Sequence, residues 1–323
     1  MCIFTLFILL CGCTASAPVK KELFLLDTYA GMTALTGGEK PLSAAEDTAK
    51  QLDAVFSAAY GVNANTLTDA ALTECAELSF ALNEKYGADV NIACGAVTEL
   101  WGISTDAPRM PSDEEIQAAL CNVPRPKMPA EGLGGFADGV MLDFGAVAKG
   151  YVCDRIYGRL AAEYPQSCVI ASFGSSVVFY GSKPDGSKFT TAVKNPLAPS
   201  EYLGILRTDS GFVSTSGGYE RYFEEKGVRY DHIISAESGY PVDTDLLSVT
   251  VIVNHDTENG GIMSDFLATQ IYAQGTAGLA KYLDNTDFGV IAVDENKNVY
   301  ISMGVDFALE STEYRQAENS LAP

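Results

Sequence analysis

Asp143-Phe144-Gly145-Ala146-Val147-Ala148-Lys149-Gly150-Tyr151, with Asp154 three residues further on, is the stretch that decides the fold. It reads as a strand end, a tight glycine turn and the start of a helix. A glycine there lets backbone approach a ligand closely, and a helix start offers free N–H groups to an anion. Upstream of it the signals are mainly helical. Ser43 to Glu46 has the spacing of a capping box, followed by Leu52, Val55 and Phe56 at helical intervals. A second helix is expected over 69–86, with Thr68 as cap and Gly87 as stop. Ser112 to Glu115 is another capping box opening a short helix to Cys121, and Pro124 to Pro129 forms a loop. Downstream the pattern alternates. Strand-like runs fall at 140–143, 168–172, 177–181, 189–193, 211–214, 247–253, 288–293 and 298–302, with helices over 148–163 and 264–274. An earlier strand is expected over 23–29. The whole is α+β: a helical first third, then a sheet-rich remainder.

The chain has 323 residues, 47% hydrophobic and 20% charged, which is ample for a packed core. Its formal net charge of −21 disfavours nucleic acid as a partner, because the surface repels phosphate. A protein this acidic that handles a polyanion must shield it locally, and a divalent cation does so. Ile3 to Leu10 is an apolar run too short to span a bilayer but suited to a signal-peptide core. With Leu10-Cys11-Gly12-Cys13 it resembles a bacterial lipoprotein signal, which places a lipid on Cys13. No Lys or Arg precedes the apolar run. Of eight cysteines, Cys75, Cys94, Cys121, Cys153 and Cys168 lie beyond the signal. They fit no zinc spacing, and small buried thiols are the expected reading.

Three further segments carry chemistry. Val213-Ser214-Thr215-Ser216-Gly217-Gly218-Tyr219-Glu220 is followed by Tyr230-Asp231-His232-Ile233-Ile234 and Ser238-Gly239-Tyr240-Pro241-Val242. His232 is one of two histidines and sits before a turn, as a side chain offered to a cleft or as a hydrogen-bonded structural group. In Ser264-Asp265-Phe266-Leu267-Ala268-Thr269, Ser264 suits a helix cap and Gly275 the stop. Asp265 and Thr269, four apart, place a carboxylate and a hydroxyl on one face, which is hard-oxygen chemistry for Mg²⁺ or simply an acid at a helix start. Asn91 to Trp101 ends in the only tryptophan, whose default role is packing.

Taken in order, these segments resemble the ApbE family of FAD:protein FMN transferases. Asp143 to Asp154 is similar to that family's Asp-Leu-Gly-Gly/Ala-Ile-Ala-Lys-Gly-Tyr-x-x-Asp. Ser214 to Tyr219 resembles its Ala-Thr-Ser-Gly-x-Tyr. Tyr230 to Val242 resembles its Tyr-x-His-Ile-Ile-x-Pro-x-Thr-Gly-x-Pro-Val. Leu247 to Val253 resembles the strand that follows, Asp265 and Thr269 match its Asp-Ala-x-x-Thr, and Asn91 to Gly102 its Leu-Trp-Gly segment. The likeness implies a mixed, sheet-rich, T-fold-like α+β fold with packed helices. It implies a transferase domain over 26–315, which follows the lipoprotein-like signal over 1–13 and a polar, small-residue tether over 14–25.

The resemblance also implies roles. Asp143 and Lys149 line an FAD site, with Leu26, Asp89, Val90, Asn91, His232 and Ile234 as further walls. Asp265, Thr269 and the carbonyl of Ala146 hold Mg²⁺. Apart from the resemblance, His232 is the candidate base by its titration range. The implied activity moves FMN from FAD to a threonine or serine of an extracytoplasmic flavoprotein or membrane electron-transport subunit, releasing AMP. The implied place is the outer face of a bacterial cell membrane, through the lipid anchor. The same residues would serve an FAD pyrophosphatase, and a non-catalytic FAD-holding lipoprotein is the third alternative. The chain departs from the family pattern at Leu26 (usually Met), Asn91 (usually Asp), Ser175-Ser176 after Gly174 (often Gly-Gly), Ala236 (Pro) and Ser238 (Thr).

Overall fold

A computed structural model describes residues 17–58 and 62–317. Cys13 and the signal segment lie outside the described residues. β1 (Val19–Leu25) and β2 (Thr28–Thr36) form a hairpin, covered by α1 (Glu39–Ala58). Then come β3 (Val62–Asn63), α2 (Ala70–Tyr86), α3 (Gly95–Trp101), α4 (Asp113–Leu120), β4 (Met141–Leu142) and α5 (Ala148–Glu163). The chain continues through β5 (Cys168–Phe173), β6 (Ser176–Tyr180), β7 (Phe189–Asn195), β8 (Ala198–Thr208), β9 (Gly211–Ser216), β10 (Tyr222–Glu225), β11 (Val228–Asp231) and β12 (Leu246–Asn254). α6 (Gly260–Leu283), β13 (Phe288–Asp294), β14 (Asn298–Ile301), β15 (Asp306–Leu309) and β16 (Arg315–Gln316) complete it.

A nine-stranded sheet in the order β1-β2-β5-β6-β9-β12-β13-β14-β16 forms the middle layer. One face buries the large core with α1, α2, α5 and α6. The other packs against the small sheet β15-β8-β7 through Phe179, Phe189, Leu206, Val213 and Ile291. Covering on both faces explains why β12 is a nearly continuous apolar run rather than an alternating one.

Several local expectations change. The tether reading of 14–25 fails over Val19–Leu25, which is the edge strand β1. Its even pattern packs Val19, Leu23 and Leu25 inward while Lys20, Glu22 and Phe24 face out. The strand expected over 23–29 is broken by a two-residue turn at Leu26-Asp27, whose φ values of 54° and 53° mark a type I′ hairpin. The N–H of Leu26 donates to Asp53 at 2.6 Å and Arg221 donates to the Asp27 carbonyl at 3.0 Å, so tertiary bonds hold a conformation a leucine disfavours. α1 starts at Glu39, so Ser43 lies inside it and accepts from Lys21 instead of capping. Asp69, not Thr68, caps α2, accepting from Ala71 and Leu72. The Ser112–Glu115 box is present, and Arg109 clamps Glu115 with two bonds.

The largest change concerns α6. It begins at Gly260, one turn before Ser264, so Ser264 is not its cap. Ser264 is buried and bonds the Gly261 carbonyl and Ser214, both at 2.8 Å. The cap comes from far away: the buried carboxylate of Asp154 on α5 accepts the N–H groups of Gly261 and Ile262, both at 2.7 Å. Gly275 does break the helix, at φ 65° and ψ −172°, but Asp245 accepts from Thr276 and a second helical segment runs to Leu283. Of the five cysteines, four are buried free thiols and Cys121 is exposed.

Candidate functional site

α5 and α6 cross at Gly150 and Gly261. A Cβ on Gly150 would lie 2.3 Å from the Gly261 carbonyl oxygen and 2.7 Å from Cβ of Asp265. The two glycines therefore bring the start of α5 into contact with the second turn of α6. At that contact the Gly150 N–H donates to Asp265 Oδ2 at 2.9 Å, while Ser176 Oγ on β6 donates to Oδ1 at 3.2 Å. The carboxylate is 2% exposed and is oriented by a helix N-terminus that favours negative charge. One turn on, Thr269 Oγ1 lies 2.9 Å from Ser216 Oγ at the end of β9.

The turn before α5 is set by Asp143, whose Oδ1 accepts the Gly145 N–H at 2.7 Å, and by bonds from Val147 and Ala148 to the Phe144 carbonyl. This brings Ala146 to the wall that Asp265 and Thr269 share. All the donors are hard oxygens: one carboxylate, one hydroxyl and one carbonyl. Among the described residues no three His, Cys, Asp or Glu side chains cluster as a metal site. A single-carboxylate site fits Mg²⁺, which keeps water and takes phosphate oxygens as its remaining ligands.

Another wall is built on the hairpin carrying His232. The N–H groups of Ser235 and Val242 donate to the carbonyls of Tyr240 and Ile233, and Ile234 bridges to Pro241. Trp101, fully buried, donates from Nε1 to the Gly239 carbonyl at 2.7 Å, so the tryptophan anchors this hairpin as well as packing. His232 Nδ1 lies 3.1 Å from the Arg221 carbonyl. That contact assigns the proton to Nδ1 and leaves Nε2 as an acceptor. Burial pushes the imidazole pKa down to about 4, and the charges of Lys149 and Arg221 push the same way.

The third wall is Asp89-Val90-Asn91. Gln270 of α6 accepts from the Val90 N–H at 3.0 Å and donates to Asp89, and Gln274 also donates to Asp89. Asn91 Oδ1 accepts from Ala93, and its amide donates to the Pro124 carbonyl at 2.9 Å. As an amide rather than a carboxylate, Asn91 can both accept and donate here.

These walls enclose one cavity of about 820 Å³. Leu26, Asp89, Val90, Asn91, Asp143, Ala146, Lys149, His232, Ile234, Asp265 and Thr269 all line it, so every sequence-derived site residue within the described part is brought together. The same cavity is lined by Lys194, Glu220 and Arg221, which sequence reasoning did not single out as ligands. Lys194 carries no local signal, since it ends β7 in the smaller sheet. Glu220 and Arg221 come directly after the Ser-Gly-x-Tyr segment in the chain, and that adjacency is the signal that marks them. Lys149, Lys194 and Arg221 supply the cavity of this acidic protein with positive charge. Desolvation by the surrounding walls raises the Glu220 carboxyl pKa although the residue keeps exposed surface, while Lys149 and Lys194 oppose that shift.

The depressed His232 pKa has a testable consequence. An unfolded histidine titrates near 6.5 and this one near 4, so between those values the unfolded chain binds more protons. The histidine's contribution to stability is complete above pH 6.5 and is lost as pH falls toward 4. His232→Gln therefore loses less stability than the parent over that window, measured by urea unfolding at each pH. Asp154, raised to about 6 by burial, acts in the opposite sense but is common to both proteins and cancels in the difference.

The sequence profile of the ApbE family matches residues 26–293. A curated FAD:protein FMN transferase of Klebsiella pneumoniae (strain 342) is 32% identical over 237 residues, covering 72% of this chain and 70% of its own length. Another of Treponema pallidum (strain Nichols) is 30% identical over 231 residues, covering 66% of this chain and 62% of its own. Among solved structures, the ApbE protein of Thermotoga maritima superposes with a TM-score of 0.77 at 24% identity, over 88% of this chain and 97% of that one. The flavin transferase ApbE of Vibrio cholerae gives 0.71 at 18% identity, with the same coverage. At those identities the likeness is one of fold, and it agrees with the α+β architecture described above. With the profile match and the Klebsiella relative, it places the chain in the ApbE family of FAD:protein FMN transferases.

Proposed function

We propose that the chain moves FMN from FAD to a threonine or serine hydroxyl of a partner flavoprotein, with Mg²⁺ and with release of AMP. The observation that carries this reading is the meeting of Ala146, Asp265 and Thr269 with Lys149, Lys194 and Arg221 around one cavity of ligand size. Hard-oxygen donors beside cations suit a pyrophosphate. In the transfer the acceptor oxygen bonds to the phosphorus on the FMN side. The bond from that phosphorus to the bridging oxygen breaks, AMP departs with the electron pair, and the hydroxyl proton leaves. Mg²⁺ bound at Asp265, Thr269 and the Ala146 carbonyl would neutralise charge on the pyrophosphate.

The chain's own residues supply position and charge. Gly150 and Ser176 fix the Asp265 carboxylate, and Ser216 fixes the Thr269 hydroxyl. Lys149 and Arg221 offset phosphate charge. His232 is the base in this reading: neutral at working pH, held by the Arg221 carbonyl, with Nε2 open to accept the proton. Its weak basicity suffices where the transition state is loose and the proton leaves late.

The same reading keeps the chain at the extracytoplasmic face of a bacterial membrane by a lipid on Cys13, supported by the Leu10-Cys11-Gly12-Cys13 pattern. Among the described residues no helix is long and apolar enough to cross a membrane.

Incubation with FAD, Mg²⁺ and a candidate acceptor protein tests the chemistry through AMP and free FMN. The expected result is AMP without free FMN, abolished by EDTA. AMP with an equal amount of free FMN points to a pyrophosphatase, and FAD left intact contradicts the reading.

A further inference from the structure

β1 is a terminal strand of the nine-stranded sheet, and its outer edge is backbone without a strand beside it among the described residues. The tight turn closes on the pair Leu25 and Thr28, so inward hydrogen bonding falls on Leu25, Leu23, Lys21 and Val19. The bond from the Gly174 N–H to the Tyr29 carbonyl agrees, because it turns Tyr29, the partner of Phe24, toward β5. The N–H and C=O groups of Lys20, Glu22 and Phe24 therefore point away from the sheet. Beside this edge Phe24 is 71% exposed and its cross-strand partner Tyr29 is 60% exposed, an apolar platform on the outer face. β1 runs directly into Leu26-Asp27-Thr28, and those three residues line the cavity mouth.

We propose that the free edge of β1 docks the acceptor, as an extended segment that adds a tenth strand and presents its hydroxyl beyond Leu25 at the cavity mouth. The proposal rests on the transferase reading, which requires a protein to reach this cavity. Continuity of the edge with the mouth selects the occupant: a chain lying along β1 is led into the site. Main-chain bonds to Lys20, Glu22 and Phe24 give affinity without demanding a sequence, and an apolar side chain of the segment covers Phe24.

Glu22→Pro removes an outward N–H and leaves the ladder to β2 intact, which an edge strand tolerates. Glu22→Ala keeps that N–H and serves as its control, and Phe24→Asp alters the platform while sparing the backbone. Steady-state transfer to an acceptor protein, FAD affinity and thermal melting are measured for each. E22P is expected to raise the acceptor KM at least tenfold over E22A, and F24D at least fivefold over the parent, with FAD affinity within twofold throughout. Equal acceptor KM in E22P and E22A, together with an unchanged F24D, overturns the proposal. So does a concentration-dependent dimer that E22P dissolves, because the edge would then serve a second copy. If E22P melts early, F24D decides alone. A parent protein that labels no acceptor defeats the transferase reading, and the docking proposal falls with it before any variant is compared.

Discussion

Asp265→Asn is expected to lower FMN transfer by about three orders of magnitude, the several kcal/mol that a bound metal contributes to charge stabilisation. The substitution is nearly silent for the fold. Asp265 accepts two bonds, from the Gly150 N–H and from Ser176 Oγ. An asparagine oxygen keeps the first, and the serine hydroxyl can rotate to accept from the new amide. Melting should therefore shift little while turnover collapses. A second readout isolates the metal. Mg²⁺ should tighten FAD binding to the parent but not to D265N, and in EDTA the two should bind FAD comparably. Trp101, the only tryptophan, lines the cavity and can report both titrations by its fluorescence. Transfer by D265N within tenfold of the parent would remove the carboxylate from the chemistry.

Gly150→Ala is expected to cost about 3 kcal/mol of stability, at the upper end for overpacking. Two effects oppose one another. Alanine favours a helix over glycine by about 1 kcal/mol. Against that, the new methyl would sit 2.3 Å from the Gly261 carbonyl oxygen, a backbone atom that cannot rotate aside. The steric cost wins, and relief comes only by moving α5 away from α6. That motion displaces Asp265 from the Gly150 N–H, so transfer should fall along with melting temperature. Gly158 lies on the same helix with nothing near its would-be Cβ. Gly158→Ala should accordingly stabilise by about 0.5–1 kcal/mol, by propensity alone. Denaturant unfolding of both variants checks the sign and the contrast. Equal responses would mean that the close crossing does not constrain the helices.

What the sequence makes legible here is local. Asp143 to Asp154 shows its strand, turn and helix because glycine and the apolar period act within a dozen residues. Asp265 and Thr269 declare a shared face through their spacing of four. What stays hidden depends on distant partners. Ser264 has the composition of a cap, yet Asp154 captures the helix start from 107 residues away. Leu26 gives no turn signal, since leucine disfavours positive φ, and Asp53 at Leu26 and Arg221 at Asp27 hold the turn. Residues 19–22 follow a stretch of small and polar residues, and their inward face includes Lys21, whose charge is met by Glu46 on α1, so the start of β1 is hidden from the local pattern. Lys194 reaches the cavity from the second sheet, and β8 and β15, which build that layer, lie outside the expected strands. The resemblance supplied the link between segments that local patterns could not, and the cavity gathers the residues it nominated.

A transferase differs from a pyrophosphatase in leaving FMN covalently on a protein. The intact mass of an acceptor protein after incubation with the enzyme, FAD and Mg²⁺ reads this difference. The expected result is a gain equal to one FMN less water, absent with EDTA and absent with D265N. An acceptor of unchanged mass in the presence of released AMP would contradict it, because the phosphoryl group would then have gone to water.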